Sequence, residues 1–499
     1  MFTSLQRLAI AVIVLAVAYL TIFKCRQPKK TSLHPPGPPT GKMPTESSWI
    51  QFQQWGKKYG ELVYIEDKNI LILNTFRVAN DLLEKRANIY SDRPITPMME
   101  LCGIPHLFSF ARYSNKWRRD RKLFLQNFRQ ATIHRFYPYQ YNKVQNFLHQ
   151  LTITPHDFMK HTMELSQSLV LSSLYGLDFH SDDPLVNMAV ESLEITGLAM
   201  TTGTFPAIER FPWLRYFPAW FPGCGFKNIA AQCLRDFETI NTVPFNIAME
   251  NQRKGLKSSM ITELAIQHED DPDELEAIKR MAIVSYTAAA DTTMSSISSF
   301  LLAMCLHPDI QRKGQEEIDH VIGQDRLPTF EDRSSLPYVE AIYREVMRLH
   351  PPIPNGVPHT SMNDDFYHGY HIPKGCLVIS NIWAMNRDEE IYCNPDEFLP
   401  ERHLESPGGP FKNINEITAF GFGRRICAGR YMADNTVWLA VVSVLATLTL
   451  GKAIDANGDE IDIPGEYTTG MFSHPKPYKA SITPRNQNTK DLISTTTFV

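Results

Sequence analysis

The segment Phe420-Gly-Phe-Gly-Arg-Arg-Ile-Cys-Ala-Gly429 holds the residues of this chain best suited to chemistry. Glycines on either side of Cys427 permit a tight turn with nothing bulky beside the sulfur. The apolar stretch from about Tyr431 to Leu450 predicts a helix starting just after the cysteine. Its free N–H groups and positive end would face the sulfur and favour the thiolate, as suits a metal ligand or a nucleophile. Arg424 and Arg425 add positive charge that an anionic partner could use. In most folds a lone free cysteine packs as a small hydrophobe, so the chemistry rests on this ten-residue setting. Gly421-x-Gly423 suggests a dinucleotide loop, but Ile426 stands at the third glycine position and no βαβ pattern surrounds it. That reading is discarded.

The elements that must position Cys427 are mostly helical. Glu274 to His307 contains no Pro or Gly and is stopped by Pro308, which predicts a helix long enough to cross the whole molecule. Its middle, Tyr286-Thr-Ala-Ala-Ala-Asp-Thr-Thr-Met-Ser-Ser, is built of small and polar residues after Tyr286, so something large can approach the backbone there. A further helix is expected over Leu336–His350, ending at Pro351-Pro352, and another near Val78–Ala87. The basic run Trp117-Arg-Arg-Asp-Arg121 leads into apolar Leu123, Phe124 and Phe128. Glu61–Ile65 and Asn69–Leu73 read as a hairpin, Tyr370–Ile372 and Cys376–Ser380 as strands, and the last 40 residues as a small sheet. Phe205–Phe226 carries eight aromatics and four Pro. It is a poor regular element, and reads either as a surface loop that dips into lipid or guards an entrance, or as an irregular loop packed on the body.

Composition sets the outer limits. The 499 residues are 43% hydrophobic and 21% charged, with 34 Pro and 25 Gly, which excludes disordered, collagen-like and coiled-coil classes. A net charge of −4 gives no electrostatic footprint for nucleic acid. Eight Cys without a C-x-x-C pair exclude zinc-finger and thioredoxin readings. At the N-terminus, Leu8 to Phe23 has only Tyr19 and Thr21 as polar members, and passes straight into Lys24, Arg26, Lys29 and Lys30. As a helix it spans about 24 Å, close to the roughly 27 Å core of the endoplasmic reticulum bilayer. No small-x-small cleavage site follows, so residues 1–30 read as a membrane anchor and stop-transfer segment, not a signal peptide. With only Arg7 before the run, the body (31–499) is expected on the cytoplasmic side. His34-Pro-Pro-Gly-Pro-Pro39 reads as a stiff hinge between the two.

Phe-x-x-Gly-x-Arg-x-Cys-x-Gly resembles the haem-ligand signature of the cytochromes P-450, with every position filled. Glu345-Val-Met-Arg348 looks like that family's Glu-x-x-Arg pair, and Pro400-Glu-Arg402 like its partner segment. Ala288-Ala-Ala-Asp-Thr292 resembles the oxygen-activation motif of the long central helix, and Trp117-x-x-x-Arg121 the haem-propionate contact. The order of the motifs also agrees, and the resemblance covers essentially the whole chain. It implies a mainly α fold with small β-sheets, the cytochrome P-450 fold, with the central helix crossing haem b, of the microsomal type with an N-terminal transmembrane anchor.

The resemblance also implies roles. Cys427 would be the axial iron ligand, pushing electron density that favours O–O cleavage. Thr292 would support oxygen activation and Asp291 would relay protons. On spacing alone, Thr292 could equally bond back to a carbonyl one turn earlier. Trp117, Arg121, Arg425 and Phe420 would hold the cofactor, with His359 where an Arg often meets a propionate. Glu345, Arg348 and Arg402 would form a buried structural network, although spacing alone also allows an exposed ion pair worth about 0.2–0.5 kcal/mol. Phe108, Phe110, Ala288, Ala289, Val357, Met471 and Phe472 would line the substrate pocket. The sequence departs from the family at Ala289, where Gly is commonest, and at His403, which replaces a Phe.

The expected activity is a haem-thiolate monooxygenase acting on an apolar small molecule. Only 72 residues (428–499) follow Cys427, so electrons from NADPH are expected through a separate cytochrome P-450 reductase docking near Arg118–Lys122, with cytochrome b5 as a further partner. Gly356-Val-Pro-His359 and Asn381-Ile-Trp383 resemble fungal members of secondary metabolism that tailor terpenoids or alkaloids. Two rivals remain: a haem-thiolate isomerase or dehydratase, which would need no dioxygen, and a non-catalytic haem carrier or sensor, which would need no acid–Thr pair.

Overall fold

Pro272–Leu306 is the axis of the molecule, a 35-residue helix that starts two residues earlier than expected because Pro272 takes its first position. Asp271 caps it, its carboxylate accepting from the Asp273 and Glu274 N–H groups at 3.0 and 3.1 Å. A computed structural model of the chain describes residues 33–495 except 40–42, 45, 179–182, 201–202 and 406–408. The expected anchor, Leu8–Phe23, therefore lies outside the described residues. Among those described, Pro272–Leu306 alone is long and apolar enough to cross a membrane, and 78% of its apolar window is buried in protein. It is a core helix.

In chain order the long helices are α1 (Ser48–Tyr59), α2 (Asn115–Phe128), α3 (Tyr137–Ile153), α4 (Phe158–Val170), α5 (Pro184–Met200), α6 (Phe226–Arg253), α7 (Pro272–Leu306), α8 (Pro308–Val321), α9 (Pro337–Leu349) and α10 (Arg430–Thr447). The axis α7 packs against α4 most extensively, and also against α2, α6 and α10. One apolar cluster gathers the first half of α7 with α2 and α6, and a second gathers its last turns with α3, α9 and α10. Asp120 of α2 ties that helix to α7 through Arg280 at 2.9 and 3.2 Å.

A four-stranded sheet lies beside the helices in the order β1 (Leu62–Ile65), β2 (Ile70–Leu73), β6 (Leu377–Ser380), β3 (His359–Thr360). β1 and β2 form the expected hairpin, and β2 pairs in parallel with β6, Ile70 against Leu377. β4 (Asp365–Tyr367) pairs with β5 (Tyr370–Ile372). The Pro-rich segment packs on this sheet: Tyr64 N–H donates to the Pro36 carbonyl at 3.1 Å, and a Cβ on Gly37 would lie 1.9 Å from the Tyr64 oxygen.

Three expectations are corrected. The helix after Cys427 stops at Thr447, and Leu448–Lys452 becomes a strand paired with Ala480–Pro484. Buried Gln311 pins that strand, bonding both the N–H and the carbonyl of Leu450 at 2.8 Å. The C-terminal region is not wholly sheet, because Gln487–Thr495 forms a helix behind a bond from the Thr489 N–H to the Asn486 side chain. Phe205–Phe226 is not irregular throughout: Pro206–Arg210 and Pro212–Tyr216 are short helices, each opened by a proline.

Candidate active site

The cysteine loop is held by contacts that only glycine allows. Gly421 and Gly423 sit at φ +75° and +60°, and a Cβ on Gly423 would lie 2.0 Å from the Leu83 carbonyl oxygen. The Cys427 N–H closes the loop onto the Phe420 carbonyl at 2.8 Å. The sulfur then faces a cavity of about 270 Å³ whose opposite wall includes Ala288, Ala289 and Thr292 of α7. Phe108, Phe110, Val357, Met471 and Phe472 also line it, so all seven residues expected around a substrate border one space. Burial raises the Cys427 thiol, against the Gly429 N–H, Arg121 and Arg430, which draw it down. The Gly429 N–H before α10 thus draws the thiol down in the direction expected of the helix end, while desolvation works against it.

Beside the sulfur lies a buried cationic corner. Arg425 spans from the Ser91 carbonyl (2.7 Å) to that of Ala111 (2.7 Å) and lies 4.1 Å over the Trp117 ring. Arg121, one turn after Trp117, donates to the Ile426 carbonyl at 2.5 Å. Arg93, which the sequence reading missed, reaches the Val357 and Pro358 carbonyls at 2.6 and 2.7 Å. Burial lowers all three guanidinium groups, Arg121 to about 10 and Arg425 to about 9, and Arg121 presses Arg425 down further. Asp92, which acts on Arg93 and Arg425, is itself paired with Arg112 at 3.4 Å. His359 gives its Nδ1 proton to the Tyr90 carbonyl at 2.7 Å, and burial together with Arg93 and Arg425 keeps the ring neutral.

On the α7 side, the hydroxyls are turned onto the main chain. Thr292 donates to the Ala288 carbonyl at 2.9 Å, one turn back, and Ser166 of α4 donates to the Ala289 carbonyl at 2.7 Å. Asp291 is half-buried behind the cavity wall, its carboxyl raised by burial and by Glu194 while His474 draws it back down. Away from the cavity, Glu345 receives Arg348 twice at 2.8 Å, Arg402 at 3.0 Å and the Leu399 N–H at 2.9 Å. His403 joins them at 2.9 Å, so the departure from Phe adds a donor to this network.

The model of the Cytochrome P450 family matches residues 38–482. The chain belongs to the cytochrome P450 family. Among similar proteins, Cytochrome P450 monooxygenase 208 of Postia placenta is 36% identical over 496 residues, 97% of this chain and 96% of the relative. Cytochrome P450 monooxygenase ple1 of Rhodocybe pseudopiperita is 38% identical over 485 residues, 94% and 92%. Tryptamine 4-monooxygenase of Psilocybe cyanescens is 35% identical over 482 residues, 92% and 94%. This P450 is therefore a haem-thiolate monooxygenase of fungal type that takes electrons from a redox partner, and the isomerase and carrier readings are not favoured.

The residues present fit the family's haem. Its two carboxylates need buried cations, and Arg93, Arg121 and Arg425 lie in the cavity wall with main-chain carbonyls as their polar contacts. The indole Nε1 of Trp117 is buried without a hydrogen-bond partner, so a donor also waits there. No spacing rule marks Arg93: besides the Ser109 carbonyl at 3.1 Å, two of its three acceptors lie more than 260 residues away.

Proposed function

We propose that this monooxygenase oxidises a neutral, largely apolar substrate of terpenoid type in fungal secondary metabolism. The observation that carries this reading is the cavity wall, where no Asp or Glu stands among the described residues. Four of its hydroxyls, Ser166, Ser285, Thr287 and Ser296, are spent on main-chain carbonyls. The surface left to a substrate is chiefly Phe, Leu, Val and Met. A protonated amine would lose its hydration there with no carboxylate in return, a cost of several kcal/mol. This separates the chain from the amine chemistry in the name of its relative tryptamine 4-monooxygenase.

In this reading Cys427 would bind the haem iron through its sulfur, and Arg93, Trp117, Arg121 and Arg425 would hold the propionates. His359 and Phe420 shape the haem edge, His359 by packing, since its Nδ1 proton is already committed. When bound, the haem supplies oxygen activation; Thr292 and Asp291 organise protons at the cavity wall, and Glu345, Arg348 and Arg402 hold the fold. Residues 1–30 anchor the protein in the endoplasmic reticulum membrane. Exposed Trp213, Tyr216 and Trp220, at 51%, 81% and 81%, provide a second contact with lipid. Electrons come from NADPH through cytochrome P-450 reductase, with cytochrome b5 as auxiliary, the reductase docking on the exposed Lys116, Arg118 and Lys122 of α2.

The test is a paired panel of neutral terpenes and aromatic amines, offered to microsomes holding the enzyme and its reductase. Neutral terpenes should give the low-to-high-spin Soret shift and an oxygenated product. A shift and product from amines alone would overturn the reading.

A further inference from the structure

Asp291 stands behind the cavity wall and needs a path to solvent if it delivers protons. The neighbouring turn, Thr468–His474, is tied to the same face of α7. Ser295, one helical turn after Asp291, donates to the Ser473 carbonyl at 2.5 Å. The Ser473 N–H is fixed on the Pro352 carbonyl at 2.9 Å. Within the turn, Thr468 Oγ1 accepts the His474 N–H at 3.1 Å and donates to the Phe472 carbonyl at 3.1 Å, while the Thr468 N–H donates to the His474 carbonyl at 2.9 Å. The main chain at His474 is therefore locked beside the turn of α7 that carries Asp291. Met471 and Phe472 of this turn line the cavity.

The His474 ring is half-buried, yet its Nδ1 is sealed from solvent and has no hydrogen-bond partner. An unpartnered buried nitrogen is costly, and such groups mark strain, function or a water site. Two titratable groups act on Asp291: His474 from this turn and Glu194 from α5. They act in opposite directions, as a cation and an anion must.

We propose that His474 is a positioning residue that orients Asp291 and resupplies it with protons, making the Thr468–His474 turn the proton inlet of the enzyme. Each turnover takes O₂, two electrons from the reductase and two protons, placing one oxygen atom in the substrate and releasing the other as water. In the inlet step an N–H bond of the imidazolium breaks and an O–H bond forms on the Asp291 carboxylate. The imidazole regains its proton from bulk water, and Asp291 passes its own toward the Thr292 hydroxyl. The inference rests on the reading of Asp291 and Thr292 as the proton-delivery pair.

Two measurements on the full-length holoenzyme test it. In the diamagnetic reduced carbonyl form with ¹³C-labelled histidine, Asp291→Asn should move the His474 ring resonances, because the facing carboxylate is gone. Unchanged ring resonances overturn the pairing, and this needs no His474 variant to fold. Second, the enzyme with reductase and NADPH, without added substrate, divides its oxygen between peroxide and water. The wild-type water share should show an inflection and fall as pH rises. His474→Gln should remove the inflection and slow water formation about 10²-fold, the lower end of general acid–base assistance, with the reduced carbonyl spectrum unchanged. A purely structural histidine would alter thermal stability and leave the inflection in place, which overturns the proposal. If Asp291→Asn slows water formation and His474→Gln does not, His474 alone is refuted. If neither does, the Asp291–Thr292 reading falls with it.

Discussion

Glu345→Gln removes one charge from a buried carboxylate that receives five hydrogen bonds and leaves its shape almost intact. Five donor contacts converge on the two oxygens, from Arg348 (two), Arg402, His403 and the Leu399 N–H, and the side chain is 0% exposed. Burial opposes ionisation, but the hydrogen bonds from Arg348 and His403 outweigh it and hold the carboxyl at about 2 against an ordinary 4.5. At about 1.36 kcal/mol per pH unit, that difference is worth about 3 kcal/mol of folding free energy. A depressed carboxylate contributes in full above its unfolded value, so the stability is present above pH 4.5 and drains away as pH falls toward 2. A second route gives a similar size. With Gln, the buried Arg348 and Arg402 keep their charge and lose their counter-ion, which costs about 3–5 kcal/mol for a broken buried pair.

The expected outcome is a fall of about 10²-fold in the folded-to-unfolded ratio at neutral pH. Urea titration followed by the haem Soret band measures it, run at pH 7 and again near pH 4. The wild type should lose stability between the two, and the variant should lose correspondingly less, because the titrating group is gone. A variant within about 0.5 kcal/mol of wild type at pH 7, the scatter of ordinary surface substitutions, would refute the reasoning.

Cys427→His should abolish the red-shifted Soret band of the reduced carbonyl complex, and a surviving band would assign the iron to another residue. Thr292→Ala should keep haem and substrate binding but turn electrons to peroxide, with product per NADPH falling by at least about tenfold; Thr292→Ser should recover much of it. Equal behaviour of Ala and Ser, with coupling unchanged, would reduce the Thr292 hydroxyl to its bond with the Ala288 carbonyl. Deleting residues 1–30 should release part of the protein from microsomes. A wholly membrane-bound remainder would point to the exposed aromatics Trp213, Tyr216 and Trp220 as a sufficient attachment.

The central helix was legible because no Pro or Gly interrupts Glu274–His307 and Pro308 follows it, while its start lies two residues earlier, where Asp271 caps it and Pro272 takes the first position. The cysteine loop was legible for the same reason, since its glycines answer to a turn a few residues long. What escaped the sequence depends on distant chain. Arg93 reaches the Ser109 carbonyl nearby, but two of its three acceptors, the Val357 and Pro358 carbonyls, come from distant chain. His403 looked like a lost Phe until the fold set it against Glu345. Leu448 continues the helical apolar pattern of its neighbours, yet it leaves the helix because residues 480–484 and Gln311 offer its strand partners.

In the proposed reading, helix α2 uses a single helical period to separate two jobs. Trp117 and Arg121, four residues apart, share the face turned to the cavity, where Arg121 meets the cysteine loop. Arg118 and Lys122 repeat the same spacing one residue later, about 100° around the helix, and are exposed. The inner charge is fixed by a carbonyl and by its place beside the sulfur, whereas the outer ones remain in water, where screening limits each to a modest, salt-dependent pull. Buried arginine thus suits permanent binding of a cofactor's carboxylates, and exposed basic residues suit a reductase that must arrive, deliver an electron and leave. Ser114 caps this helix through the Trp117 N–H at 3.1 Å, and the Asp120–Arg280 pair fixes its rotation against α7. A helix free to roll would mix the two faces, so the cap and the buried ion pair serve both functions at once.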